Sequence, residues 1–160
     1  MNQQPNSRTC FACGMENQAG LRLRFFDNGR NEVLAAFTLT ADHEGYPGIA
    51  HGGIVAAILD EVAGRTMMIG DHHRFFITAK MEIRYRQPVP VGWPLQAVGR
   101  LTRQKGRLTF AHAEIRSPDQ TVLAEADLLL AGLPPAILDP CEAEEKFGWG
   151  IYDQQAKPAV

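Results

Sequence analysis

Apolar and polar side chains alternate over residues 21–25, with Leu21, Leu23 and Phe25 set against Arg22 and Arg24. That is strand period. Asp27, Asn28 and Gly29 follow as a turn signal. Val33, Ala35, Phe37 and Leu39 then share one face of a second strand over residues 32–40, so the two strands predict a hairpin. The segment EGYPGIAHGG at 44–53 holds four glycines and a proline and cannot be the interior of a regular element. It runs directly into IVAAILDEVAGRTMM, which has helix-forming composition and Gly70 just beyond its end. This helix is apolar on most of its circumference, which predicts burial on most sides.

Everything after the helix reads as strand. Residues 75–86 carry Met81, Ile83 and Tyr85 on one face and Lys80, Glu82, Arg84 and Arg86 on the other. Pro88, Pro90, Gly92 and Pro94 end that strand. Residues 95–103 and 107–116 flank Gln104-Lys105-Gly106 as a hairpin, residues 117–120 turn, and residues 121–131 form the last strand. The order β-β-α-β-β-β-β with short hairpin connections predicts an α+β fold. One apolar helix and one largely antiparallel sheet bury each other. Residues 1–20 read as an irregular lead-in. Residues 133–160, acidic and Pro-containing, read as a loosely packed tail outside the single domain at 21–132.

Composition narrows the picture. The chain has 160 residues, 45% of them apolar, with 16 basic and 18 acidic side chains. That suits one soluble globular domain with a real core. A net charge of −2 gives no global reason to expect nucleic acid. The opening MNQQPNSRTC lacks the pattern of a secretory signal, and the longest apolar stretch is broken by Asp60, Glu61 and Arg65. A cytoplasmic location without membrane contact is the expectation. The charge is unevenly spread. Between Lys80 and Arg107 lie seven basic residues and one acid, a local +6. These are either solvated strand faces or a patch for an anionic ligand.

The helix holds the chemical clue. Gly53, Ala56, Ala57 and Gly64 lie at −7, −4, −3 and +4 from Asp60, so helical spacing sets Asp60 in a stripe of small residues. A carboxylate on a buried helix costs free energy unless it is paired or functional, and the close approach that small residues allow favours function. Glu61, about 100° round the helix, reads as a structural or rim residue. Gly52 and Gly53 sit at the helix start, where free N–H groups suit a polarised carbonyl oxygen. His51 either shapes that loop by hydrogen bonding or donates near the bound carbonyl.

The run GYPGIAHGGIVAAILDEVAG resembles the signature of hotdog-fold thioesterases of the PaaI-like group, with HGG followed by an Asp nine residues after the His. ITAKMEIRYRQPVPVGWPL resembles that family's next strand. CFACGMENQAGLRLRF resembles the opening of its subgroup related to mammalian acyl-CoA thioesterases. The likeness covers roughly residues 10–132. It implies a long central helix wrapped by a curved antiparallel sheet, and a homodimer or dimer of dimers with sites at the interface. It also implies acyl-CoA hydrolysis without metal or organic cofactor. By position it makes Asp60 nucleophile or general base, Gly53 the polarising N–H, with Gly52 beside it and His51 in support. Thr78 becomes a hydroxyl near the attacking water, supplied by the other subunit. Arg103, Lys105 and Arg107 become contacts to the phosphates of coenzyme A. Some relatives carry Asn or Gln shortly before HGG, and residues 45–50 here offer neither.

Two rivals share that fold: a non-catalytic acyl-CoA binder, and an acyl-thioester dehydratase, whose differently spaced His and Asp are not found here. Met67, Met68, Phe75, Phe76, Tyr46 and Trp93 are wall candidates for the acyl group, each also a candidate for ordinary core. Cys10 and Cys13 form a C-x-x-C with no second pair, which is weak evidence for zinc or redox chemistry and is read as structural; a metal- or redox-binding module built on them is a third, distant rival.

Overall fold

The computed structural model describes residues 1–153; residues 154–160, the end of the expected tail, lie outside them. The chain opens with β1 (Asn2–Gln3), which pairs antiparallel with β2 (Phe26–Asp27). β2 turns into β3 (Glu32–Thr38) as the predicted hairpin. The turn is stapled by Asn28, whose side-chain oxygen accepts from the backbone N–H of Arg30, Asn31 and Glu32 at 2.9–3.1 Å. The first strand differs from expectation. Leu23 and Phe25 are buried, but only residues 26–27 join the ladder. Arg22 takes a left-handed backbone (φ 50°), which no continuous strand accommodates. Leu21 and Leu23 donate instead to the carbonyls of Phe11 and Ala12.

The glycine-rich segment forms a small ribbon, β4 (Glu44–Tyr46) and β5 (Ile49–Ala50), and delivers the chain to helix α1 (Gly52–Gly64). α1 tightens into a 3₁₀ turn over Arg65–Met68. Four long strands follow: β6 (Phe76–Tyr85), β7 (Pro94–Lys105), β8 (Leu108–Arg116) and β9 (Val122–Gly132). The sheet order is β1-β2-β3-β7-β8-β9-β6, with every pair antiparallel. β7–β8 and β8–β9 are hairpins as predicted, but β6 to β7 is not. β6 pairs with β9 at one edge, while β7 crosses to β3. The proline-rich connection passes the start of α1, where Ala50 N–H donates to the Val89 carbonyl at 2.8 Å.

α1 packs on β6, β7, β8 and β9. Val55, Ile58, Leu59 and Val62 are at most 1% exposed, each contributing about 1.5–3 kcal/mol by burial. The sheet answers these bulky side chains with small ones: Ala35, Ala97, Ala113, Ala124 and Ala126 are all fully buried. The closest approach is at Gly99, where a Cβ would stand 2.2 Å from the Val62 carbonyl oxygen. No helix of the described residues is long and apolar enough to cross a membrane.

Residues 4–7 and 143–149, on either side of the expected domain, join the core. Gln4, Asn6 and Ser7 are wholly buried. Gln4 Nε2 donates to Asp27 Oδ2 at 3.0 Å and to the Arg65 carbonyl at 3.2 Å. The expected loose packing after residue 133 is corrected for its described part. A short helix α2 (Ala143–Phe147) ends at left-handed Gly148 and seats Trp149, 5% exposed, against Phe75 at 5.3 Å between ring centres. Trp149 Nε1 donates to the His72 carbonyl at 2.9 Å. Two aromatics either side of a glycine carry no helical or strand period, so pattern could not reveal this anchor.

Candidate active site

Three contacts lay β6 antiparallel along α1. At one end the Phe76 ring lies where a side chain on Gly64 would be, since a Cβ there would stand 1.9 Å from the ring. One turn back along the helix and two residues on along the strand, Thr78 Oγ1 donates to Asp60 Oδ1 at 2.5 Å. At the far end the Tyr85 hydroxyl donates to the Gly52 carbonyl at 3.0 Å. Strict alternation would put Thr78 on the face of Lys80 and opposite Met81. A bulge between Thr78 and Lys80 breaks the register with β9, so Phe76 and Thr78 before it and Ile83 and Tyr85 after it all face the helix. Within one chain the Thr78 hydroxyl already reaches Asp60.

Asp60 is half-buried in the Gly53, Ala56, Ala57 stripe, and its remaining side is open. Burial pushes its carboxyl above the usual aspartate range. The Thr78 hydrogen bond pulls the other way, and the charge of Glu61 adds to the rise. Glu61 has a different fate. Its Oε1 accepts from Arg65 Nε at 2.8 Å, and that guanidinium is 0% exposed. Arg65 lies 4.5 Å from the Phe25 ring centre and 5.0 Å from that of Trp149, and donates to the Pro5 carbonyl at 2.6 Å. Sequence pattern marked Arg65 only as a break in an apolar run; no spacing signal announced this pair.

His51 is the N-cap of α1. Its Nδ1 accepts from Gly53 N–H at 3.0 Å. The loop-shaping reading therefore describes the chain in this state, and the Gly53 N–H is engaged by His51. His51, Gly52 and Gly53 are all exposed. The helix start thus stands at the surface, two turns from Asp60.

The basic window does not form one patch. Arg84 pairs with Glu82, Glu125 and Asp127, Arg86 with Glu125, and Arg100 with Glu32 and Glu114. Strand pairing brings Glu32, Glu114, Glu125 and Asp127 to these bases from neighbouring strands, which a count along the chain cannot anticipate. Among the described residues, Lys80, Arg103, Lys105 and Arg107 have no ion-pair partner. Arg103, Lys105 and Arg107 are exposed at the β7–β8 hairpin, with the Arg103 guanidinium 5.6 Å from the Phe110 ring centre. Arg107 lines a cleft of about 390 Å³ with Arg74, His73, Met67 and Phe75. Asp60 does not line that cleft, so the structure brings together Asp60 and Thr78, and separately Gly53 and His51, but leaves the three basic residues at another rim. Of the other wall candidates, Met68 is buried, while Tyr46 (77% exposed) and Trp93 (57%) stand on the surface.

One long helix laid on a single antiparallel sheet, with a carboxylate two turns from a glycine start, is the hotdog arrangement. The profile of the thioesterase superfamily matches residues 47–124. The chain is similar to that superfamily over those residues and shares its fold. It is 29% identical over 114 residues to acyl-coenzyme A thioesterase THEM4 of Xenopus laevis, covering 69% of this chain and 50% of that protein. Mouse THEM4 is 30% identical over 112 residues, covering 69% and 47%. The chain thus spans about half the length of the curated relatives it matches. A crystal structure of a thioesterase superfamily protein superposes with a TM-score of 0.69 at 31% identity, covering 76% of this chain and 62% of that one. The Streptococcus mutans protein smu.793, solved bound to acetyl CoA, shares the fold with a TM-score of 0.63 at 16% identity, covering 69% and 88%.

Proposed function

We propose that this chain hydrolyses an acyl-CoA thioester to the free acid and CoA, with Asp60 as general base or nucleophile. The observation that carries the reading is the contact between Asp60 and Thr78. A half-buried, unneutralised carboxylate is held at one oxygen by a hydroxyl, on a helix face otherwise made of glycine and alanine. The likeness to curated acyl-coenzyme A thioesterases supports the substrate class.

As base, Asp60 takes a proton from water while the oxygen adds to the thioester carbonyl. The tetrahedral adduct then expels CoA as thiolate, which recovers a proton. As nucleophile, the carboxylate itself adds, CoA leaves, and water opens the resulting anhydride. Either route needs Asp60 ionised, and Thr78 on Oδ1 leaves Oδ2 to react. The developing oxyanion goes to the start of α1 in a second copy of the chain, because within one chain that start lies about 10 Å from Asp60. His51 is exposed and swings off the Gly53 N–H to release that donor. Losing the cap costs about 0.5–2 kcal/mol, offset by the stronger bond from an N–H to an anionic oxygen. Arg107 and Arg74 at the cleft rim, with Arg103 and Lys105 on the adjoining hairpin, suit the phosphates of CoA.

The functional unit in this reading is a dimer or dimer of dimers. β6 is a ten-residue strand at the edge of the sheet and offers an unpaired row of backbone groups beside the open side of Asp60.

The test is Asp60→Asn across short, long and aromatic acyl-CoAs, following release of free thiol. Hydrolysis falls on the order of 10²–10⁴-fold while CoA binding by calorimetry persists. Equal rates in parent and variant would overturn the role of Asp60. Binding of CoA with no turnover of any thioester by the parent would instead make the chain a non-catalytic binder. Single turnover in ¹⁸O-water that leaves label in Asp60 identifies the nucleophilic route, with water opening the anhydride at the aspartyl carbonyl.

A further inference from the structure

The proposed hydrolysis leaves one reactive cluster unused. Cys10 is half-buried and Cys13 buried, both in the N-terminal segment packed against the second half of α1. The two sulfurs and a carboxylate oxygen of Glu61 lie within 4.8 Å of one another. The turn that holds them is tight. Gly14 N–H donates to the Cys10 carbonyl at 2.8 Å, and a Cβ on Gly14 would stand 2.3 Å from that oxygen. Ser7, wholly buried, accepts from Cys10 N–H at 3.1 Å and lies with its Oγ 3.5 Å from Cys13 Sγ. Asn6 Nδ2 fixes the Cys13 carbonyl at 2.7 Å.

The two thiols are unequal. The Cys13 thiol beside it lowers the Cys10 pKa to about 6, aided by the backbone N–H groups of Cys13 and Ala12 and opposed by burial and by the charge of Glu61. The neighbouring Cys10 sulfur and burial push Cys13 well above the usual thiol range. The half-buried sulfur is the more readily ionised of the two, and the buried one behind it holds its proton more firmly. That is the division of labour between an attacking and a resolving sulfur.

We propose that Cys10 and Cys13 form a thiol–disulfide pair oxidised by low-molecular-weight disulfides. The Cys10 thiolate attacks one sulfur of the small disulfide, whose S–S bond breaks and releases one thiolate. Cys10 is left in a mixed disulfide. Cys13 gives its proton to the departing thiolate, and its sulfur attacks Cys10 Sγ, expelling the second small thiol. Two electrons pass from the pair to the small disulfide, and an intramolecular disulfide remains. A zinc site built on the same sulfurs and Glu61 fits less well. Glu61 is already held by the fully buried Arg65 guanidinium at 2.8 Å, so a dication would face that cation across one carboxylate.

The test uses the full chain carrying Cys141→Ser, because Cys141 is exposed and competes for the reagent. The reduced protein is incubated with oxidised glutathione at neutral pH, then alkylated and weighed intact. Both remaining thiols disappear, the mass falls by two hydrogens, and no glutathione is retained. Adding Cys13→Ser traps one glutathione on Cys10, and adding Cys10→Ser slows the reaction at least tenfold. The proposal is overturned if both thiols still alkylate fully after incubation, or if glutathione stays on the pair without ring closure. One tightly bound zinc per chain that blocks alkylation would also overturn it.

Discussion

Gly64→Ala tests the link between packing and chemistry at its narrowest point. The added Cβ would lie 1.9, 2.0 and 2.6 Å from three atoms of the Phe76 ring. Ordinary carbon contacts begin near 3.5 Å, so ring or strand must retreat by about 1.5 Å. Thr78 stands two residues along the same strand and donates to Asp60 at 2.5 Å. A shift of that size stretches the bond to about 4 Å, beyond hydrogen-bonding range. Overpacking costs about 1–3 kcal/mol, against a gain of up to about 1 kcal/mol for alanine over glycine in a helix. A displacement near 1 Å at a reacting group is enough to cost up to about 10²-fold in rate. Urea unfolding should therefore show Gly64→Ala less stable than the parent, and kcat/KM on an acyl-CoA should fall roughly ten- to a hundredfold. Adding Phe76→Ala removes the ring that clashes, so the double variant should recover more activity than the two single effects combined predict. If Gly64→Ala is more stable than the parent and hydrolyses within twofold of its rate, helix propensity wins. Phe76 then turns aside freely, and the strand–helix spacing is not set here.

The proposed mechanism needs Asp60 ionised and burial raises its pKa, so it predicts that kcat/KM falls as pH drops through a value above that of a free aspartate. Thr78→Val removes the one hydrogen bond holding that value down and moves the fall to higher pH, while Thr78→Ser leaves it in place; an unchanged acid limb in Thr78→Val refutes the pairing. A carboxyl whose pKa is raised by folding contributes a destabilisation that is absent below its unfolded pKa, sets in as pH rises through that value and is complete above the folded one. Asp60→Asn should accordingly unfold at higher urea than the parent at pH 7, with the advantage vanishing in acid. Gly99→Ala places a Cβ 2.2 Å from the Val62 carbonyl oxygen, a backbone atom that cannot turn aside. Its loss of stability, about 1–3 kcal/mol or more, should exceed that of Gly64→Ala in the same denaturant series.

Periodicity revealed the helix, the long strands and the two hairpins, because each buries one face and the buried face sets the period. It misplaced the first strand, since Leu21, Leu23 and Phe25 alternate without joining a ladder once Arg22 turns left-handed. It missed the crossover between β6 and β7, because a short proline-rich connection looks the same whether its strands pair or part. At the site, the stripe around Asp60 was legible because helix spacing is rigid. The partner of Asp60 was not legible as a same-chain contact, because a single extra residue in β6 reverses which side chains face the helix. The charge window failed for a related reason: Arg84 and Arg86 meet Glu125, some forty positions away, only through strand pairing.

Two adjacent acids on α1 are treated oppositely, and the difference defines what each does. Glu61 is neutralised by a buried guanidinium and ties the helix to the chain's N-terminal segment. Asp60 meets only a hydroxyl and keeps an open side, which leaves it underpaired, and burial raises its pKa. If that shortage of positive charge is the functional feature, supplying it should destroy activity and help the fold. Thr78→Lys puts an ammonium on the strand position that already reaches Asp60. A half-exposed pair of this kind is worth about 0.2–1 kcal/mol, so unfolding should shift slightly towards higher urea. The ammonium holds the carboxylate and lowers its basicity. Hydrolysis at neutral pH should then fall well below that of Thr78→Val, which loses the same hydroxyl without gaining a charge. Equal rates in the two variants would mean that only the hydroxyl matters and that Asp60's lack of a counter-ion is incidental.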